Sequence, residues 1–325
     1  MFHRNRGESK LALALAEQTE KIGEAHNNVS VQLFGRYASG FTRLHLGDFI
    51  AARALLEQGL ADPALRSGEL SDLYALMLAS LASTLTYLGY IDQARSRLNE
   101  ALSEARQLRG SHTKADVLLT AAAVDAITGS ADMRRHSEEL LALSTERGLP
   151  FYLAWATVLR GVSLTALGQG QDGLSQITRG IAGIRATGAV ASMPGALMFL
   201  ALAHARLGQP VDGLNCLAEA AQIIEATDER QPEVSLHLLR GVLLNATSDP
   251  SAAERSYHQA IAVAKLQSAK FLELRASLNL ARLWCEQDRR GEARNLLAPI
   301  YGWFTEGFDT RDLKEAKALL GELAQ

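Results

Sequence analysis

A chain of 325 residues, 47% hydrophobic, with 33 basic against 36 acidic residues and a formal charge of −3, has no basic stripe with which to hold nucleic acid. Its two cysteines, Cys216 and Cys285, lack metal-ligand spacing, which excludes a disulfide framework and a cysteine zinc site and fits a reducing cytoplasm. The first apolar run, Leu11 to Ala16, is too short for a signal-peptide core.

In chain order, residues 8–25 predict one amphipathic helix. Gly7 and Ala12 stand 40 residues before Gly47 and Ala52, so residues 1–27 read as a truncated unit, the second helix of a pair without its first. Leu11, Leu13 and Leu15 flank a face that no helix covers. Self-association or a preceding domain is expected to cover it.

Residues 28–304 then predict seven antiparallel helix pairs. The turn positions Gly47, Gly89, Gly129, Gly168, Gly208, Ser248 and Asp288 are 42, 40, 39, 40, 40 and 40 residues apart. Seven residues before each stand Gly40, Ala82, Ala122, Gly161, Ala201, Gly241 and Ala281. Five residues after stand Ala52, Ala94, Arg134, Gly173, Gly213, Ala253 and Ala293. A fixed period of this length marks a solenoid, whose units stack because none buries its own apolar face. The small residues let the two helix backbones of a pair approach to the near end of the usual spacing of about 8–10 Å.

Within the second repeat, Leu73, Leu76, Met77, Leu81, Leu85 and Leu88 share one helical face, and Ala94, Leu98, Ala101, Leu102, Ala105 and Leu108 another. Leu73 to Ile91 carries no formal charge. Its hydroxyl residues Ser80, Ser83, Thr84 and Thr86, and its phase with the repeat glycine, read as a buried solenoid helix rather than a membrane span.

Arg160 and Arg240 occupy one helix position two repeats apart, where other units have leucine. Packed stems with guanidiniums at the rim are the expectation, and a pair of cations for an anionic ligand the alternative. Gly168-Gln169-Gly170-Gln171-Asp172-Gly173 spells G-x-G-x-x-G. That fingerprint needs a strand before it, whereas Phe151 to Leu167 predicts a helix, so these glycines read as repeat glycines. Prolines fall at breaks, except Pro299, which lies within a predicted helix and is expected to kink it. Residues 305–325 predict a C-terminal capping helix, with Gly307 as a stop, an N-cap in Asp309-Thr310 and a helix from Arg311 to Leu323.

The small residue, turn glycine and second small residue recur as in the tetratricopeptide repeat, which this chain resembles over residues 28–304. Each unit is about six residues longer than that repeat and lacks its regular tryptophan and proline. The resemblance implies an all-α fold, an α-α superhelix of about seven helix pairs with a period near 40 residues. Ala281-Arg282-Leu283-Trp284, the stretch from Arg290 through Asp309-Thr310 to Ala316, and Pro150 to Gly161 also resemble the C-terminal region of bacterial class III adenylate/guanylate cyclase–ATPase signalling proteins. The cyclase carboxylates and the ATPase phosphate loop have no counterpart here, so neither activity carries over.

The resemblance implies a cytoplasmic, non-catalytic scaffold or regulatory module with a protein or peptide partner. It implies no cofactor, metal, nucleic acid or membrane. The residues it places on the concave face are Phe34, Tyr37, Phe41, Tyr87, Trp155, Phe199, Arg206, Asn245, Arg275, Asn279 and Arg282. A small-molecule or peptide sensor is the alternative reading, and an enzyme with an unrecognised site the remaining one.

Overall fold

A computed structural model describes residues 6–324, and among them there are sixteen α-helices, two short 3-10 turns and no strand. Helix α1 (Ser9–Ala25) comes first. Seven pairs follow: α2 (Val29–His45) with α3 (Phe49–Leu60), α4 (Ser71–Leu88) with α5 (Ile91–Gln107), and α6 (Ser111–Thr128) with α7 (Met133–Arg147). Then come α8 (Pro150–Ala166) with α9 (Gly170–Ala186), α10 (Met193–Arg206) with α11 (Pro210–Thr227), α12 (Glu233–Ala246) with α13 (Pro250–Leu266), and α14 (Lys270–Glu286) with α15 (Arg290–Trp303). Helix α16 (Arg311–Glu322) ends the chain. We call the first member of each pair helix A and the second helix B.

The period is written into the backbone. All seven turn positions have positive φ, from +61° at Ser248 to +94° at Gly89. In each repeat the next residue donates its N–H to the carbonyl five residues back, as in Asp48 to Arg43 (2.9 Å) and Arg289 to Trp284 (2.8 Å). This is the Schellman closure, which satisfies the orphan carbonyls at a helix C-terminus and needs a left-handed residue. A second series of positive-φ residues (Asn27, Gly148, Gly188, Asp228 and Ser268) closes most of the B helices. Several helices start on signals of the usual kind. Asn28, Asp48 and Asp249 cap α2, α3 and α13, and Pro150, Pro210 and Pro250 are the first residues of their helices.

All seven small helix-A residues are buried. At the crossing of α8 and α9 the backbones are in contact: a Cβ on Gly161 would lie 2.6 Å from the Gly173 carbonyl oxygen. Gly173 packs against Thr165 and the Gly161 carbonyl, so the G-x-G-x-x-G segment is a helix–turn–helix junction with no strand before it. Helix α4, whose one charged residue is Asp72 in its first turn, is buried along most of its length because α3, α5 and α6 flank it and the N-terminal end of α14 meets its C-terminal end. No helix among the described residues is long and apolar enough to cross a membrane. Helix α15 continues through Pro299. Thr310 takes the N-cap position of α16, although its hydroxyl donates back to the Gly307 carbonyl. Residues 1–5 of the truncated unit lie outside the described residues; in α1, Leu11 and Leu15 are exposed and Leu13 is half-buried.

Candidate binding groove and the seam that closes it

The stack does not run on as an open spiral. Its sixth and seventh repeats return to the first two, and one turn of the superhelix sits on the next. The contacts satisfy helix ends. The His45 carbonyl, at the end of α2, accepts the backbone N–H groups of Arg230 and Gln231, each at 3.0 Å. At the start of α5, whose N-cap Tyr90 makes no side-chain cap, Glu306 accepts the N–H groups of Asp92 (3.0 Å) and Gln93 (3.2 Å). Groups that a helix terminus leaves unpaired are thus paired by residues more than 180 positions away. Around them lie Gln231 to the Tyr87 hydroxyl, Lys10 to Asp228 (2.8 Å), Arg95 to Asp309 (2.7 Å) and the Tyr90–Trp303 edge contact.

The glycines mark which turns are covered. A Cβ on Gly89 would meet Trp303, Lys270 and Phe304, and one on Gly47 would meet Gln267. At the equivalent Gly129, Gly168 and Gly208 it would meet nothing within 4 Å. A single apolar core therefore runs from Phe49, Tyr87 and Ile91 into Phe271, Leu274, Phe304 and Leu313.

Helix A lines the inside of this turn, because helix-A residues of distant repeats meet across it. Arg275 on α14 donates to the Ile127 carbonyl near the end of α6 and holds Asp312 of α16 through two 2.7 Å bonds. Tyr152 on α8 lies within electrostatic reach of Tyr37 on α2. Burial above all, reinforced by Asp116, pushes the Tyr152 hydroxyl pKa well up.

The expected groove residues fall into three groups. Tyr37 (2% exposed) and Tyr87, which stacks on Phe49 at 4.7 Å, are buried, and Arg275 is committed to Asp312 and Ile127. Phe41, Trp155, Phe199 and Asn279 are half-buried; the Asn279 amide bonds the Arg275 carbonyl within its own helix. Phe34, Arg206, Asn245 and Arg282 are exposed. Phe34, Tyr37, Phe41 and His45 form a continuous ring stripe down α2, with centroids 4.5–6.5 Å apart.

Several polar groups carry no periodic signal in the sequence. Arg36 pairs with Glu20 at 2.8 Å and pins α1 to α2. His136 and Asp125, 2.6 Å apart and buried, join helices A and B of the third repeat and do not line the groove. Arg160 is exposed and Arg240 half-buried. On the outer face, Leu197, Leu200 and Cys216 floor a crevice of about 340 Å³ between α9 and α11, and the Arg185–Glu219 pair at 2.5 Å spans those two helices beside it.

The seam is expected to loosen in acid. The hydrogen bond from Arg95 holds the Asp309 carboxyl below its ordinary value of 3.8, and Lys10 and Arg230 do the same for Asp228. A carboxyl with a depressed folded pKa contributes stability that is fully present above its unfolded value and lost as pH falls through the folded one. Small-angle scattering should therefore show no change from pH 7 to pH 5, then expansion below about pH 4. Asp309→Asn with Asp228→Asn should flatten that acid step. An unchanged step in the double variant would exclude these groups as its cause.

No protein-family model matches the sequence, and no curated protein is recognisably similar to it. Solved structures share the fold. A Rap protein complexed with competence and sporulation factor aligns over 98% of each chain, with 13% identity and a TM-score of 0.61. Apo RapI aligns over 90% of this chain and 99% of its own, at 11% identity and TM-score 0.55. Aspartyl phosphate phosphatase F from Bacillus subtilis aligns over 87% of this chain and 73% of its own, at 11% and 0.56. At such identities the likeness is one of fold: a tetratricopeptide-like helical repeat.

Proposed function

We propose that the protein is a non-catalytic interaction scaffold, a regulatory module of a bacterial signalling system, whose inner groove takes a protein or peptide partner. The observation that carries this reading is the groove itself. Phe34, Phe41, Trp155, Phe199, Arg206, Asn245 and Arg282, which the repeat register assigns to the inner face, are not fully buried and so are available to a partner. Large aromatic faces beside cationic forks are the composition that interface centres favour. A protein of the same fold, a Rap protein, has been crystallised in complex with competence and sporulation factor, which supports a binding role here. The sequence resemblance to the tails of cyclase–ATPase proteins supports a place in signalling, and the same reading sets the protein in the cytoplasm without a cofactor. The exposed Leu11, Leu15 and Ile22 of α1 are proposed as a self-association face, which sedimentation equilibrium tests directly.

A second reading, an effector sensor, is favoured by the seam. A ligand in the groove touches repeats whose relative position depends on contacts between turns, so binding and stacking are coupled. Under the scaffold reading, purified chain should show no nucleotide turnover. Trp155→Ala should weaken partner capture from a lysate of the source cells at least fivefold while leaving the fold intact by circular dichroism. Capture unchanged by Trp155→Ala and Arg282→Ala together would remove the groove from the interaction.

A further inference from the structure

Among the described residues, Arg240 is the one buried or half-buried arginine that holds no carboxylate. The others are paired, as Arg36 is with Glu20 and Arg230 with Asp228. Arg240, half-buried on α12, has neither an ion pair nor a hydrogen bond. Partial burial strips water from a charge, and a desolvated charge without a partner costs stability. Packing does not require it, because leucine fills the same position in three other repeats (Leu81, Leu200 and Leu280).

His237 stands beside it. The two lie three residues apart on one face of α12, with Cβ atoms separated by about 5–6 Å. Nδ1 of His237 is buried and has no partner. A proton there would be a buried donor without an acceptor, so the ring carries its proton on Nε2, which no protein group bonds.

The 40-residue period shows what surrounds the pair. Leu197 and Leu200, 11 and 8 residues before Gly208, floor the crevice between α9 and α11, and Asn215 and Glu219 stand on its wall. One repeat later the same four positions are His237, Arg240, Arg255 and Gln259. Helix α12 packs on α11 and α13 as α10 packs on α9 and α11. A Cβ on Gly241 would meet the Tyr257 ring, so α12 touches α13 at the residue next to Arg240 and two residues from Arg255. Arg255 is exposed and also unpaired. The position of Arg185 is taken by Glu225, whose carboxylate is turned toward Arg230 at 3.4 Å. An apolar floor in the fifth repeat thus becomes a cationic one in the sixth.

We propose that His237 and Arg240, joined by Arg255 on the wall, bind a phosphoryl group on the outer face of the sixth repeat. This site is independent of the inner groove and of the partner proposed for it.

The donors select the ligand class. Two guanidinium forks and an imidazole N–H offer more than the two oxygens of one carboxylate can accept, whereas a phosphoryl group presents three oxygens and more charge. Burial, and then the charge of Arg240, hold the His237 pKa below its ordinary 6.5, so at pH 7 the ring meets the ligand as a neutral donor. An entering phosphoryl group supplies the counter-charge that Arg240 lacks.

The test uses the full chain, 15N-labelled in histidine, with the His237 ring signals followed by NMR at pH 7 and constant ionic strength. The probes are inorganic phosphate, N-acetyl-phosphoserine amide and glutarate. Both phosphoryl probes are expected to give saturable shifts, and the tighter of the two identifies the source as free phosphate or a phosphorylated residue. Glutarate should bind about tenfold more weakly, or not at all. Arg240→Leu installs the residue of three other repeats, so it should keep the melting temperature while phosphate binding falls about tenfold or more. Arg160→Leu, the same change two repeats earlier, should leave binding unaltered. Arg240→Gln serves if the leucine variant misfolds, and should weaken phosphate to a similar degree. Shifts that fail to saturate, that survive Arg240→Leu, that Arg160→Leu removes equally, or that glutarate reproduces at equal affinity would each overturn the site. Partner capture through the inner groove, tested with Trp155→Ala, stands or falls separately.

Discussion

Phe49→Ala is expected to cost about 3–5 kcal/mol and also to lengthen the molecule. Phe49 is 1% exposed and stacks on Tyr87 within the core that joins the first two repeats to the last two and to α16. The polar part of the seam cannot hold it alone. Lys10–Asp228 and Arg95–Asp309 each have one partner more than half exposed, and such pairs are worth about 0–1 kcal/mol. The apolar contact thus contributes more, and its loss falls between superhelical turns rather than inside a repeat. Chemical denaturation should show the cost, and small-angle scattering below the unfolding transition should show a larger radius of gyration. Ile177→Ala is the control. Ile177 is fully buried between α8 and α9, away from the seam, so that variant should lose about 2–5 kcal/mol while keeping the native dimensions. If Phe49→Ala also kept them, the seam would be held by something other than this core.

The neighbours in the stack were legible in the sequence, because each repeat packs on the next through residues that recur every 40 positions. The seam was not, because it joins His45 to Arg230 and Asp92 to Glu306, pairs with no periodic relation. A period determines which helices touch but not the pitch at which they stack. One signal did exist. Two residues past the turn, the first two repeats carry Phe49 and Ile91, both buried, where later repeats carry Ala131, Gly170, Pro210, Pro250 and Arg290. Large apolar residues at an otherwise small or polar turn position mean that something covers that turn. The same gap affects the groove. The tetratricopeptide register puts Tyr87 and Arg275 on the inner face, but it carries no information that the second turn engages them. The left-handed residues at the ends of the B helices were likewise readable in principle, since Asn27, Gly148, Gly188, Asp228 and Ser268 are of the types that tolerate positive φ.

Gly161→Leu is expected to be among the most damaging single changes away from the seam. A Cβ at this position would lie 2.6 Å from the Gly173 carbonyl oxygen and 2.9 Å from the Ile177 nitrogen, and both are backbone atoms of α9. A flexible side chain could swing aside, but a helix backbone moves only as a unit, and α9 is fixed in turn by its packing on α10. Overpacking of this kind costs about 1–3 kcal/mol, and obstruction by backbone belongs at the top of that range or above it. The gentler Gly161→Ala separates packing from propensity. Alanine gains about 1 kcal/mol as a better helix former, so a destabilised alanine variant reports the clash directly. Gly321, in α16 with nothing within 4 Å of an added Cβ, supplies the opposite sign: Gly321→Ala should raise stability by about 0.5–1 kcal/mol. Urea midpoints of the three variants should fall in the order Gly321→Ala, Gly161→Ala, Gly161→Leu, from most to least stable. A Gly161→Ala protein as stable as Gly321→Ala would mean that the two helices of the fourth repeat are not in backbone contact, and that its glycines have another cause.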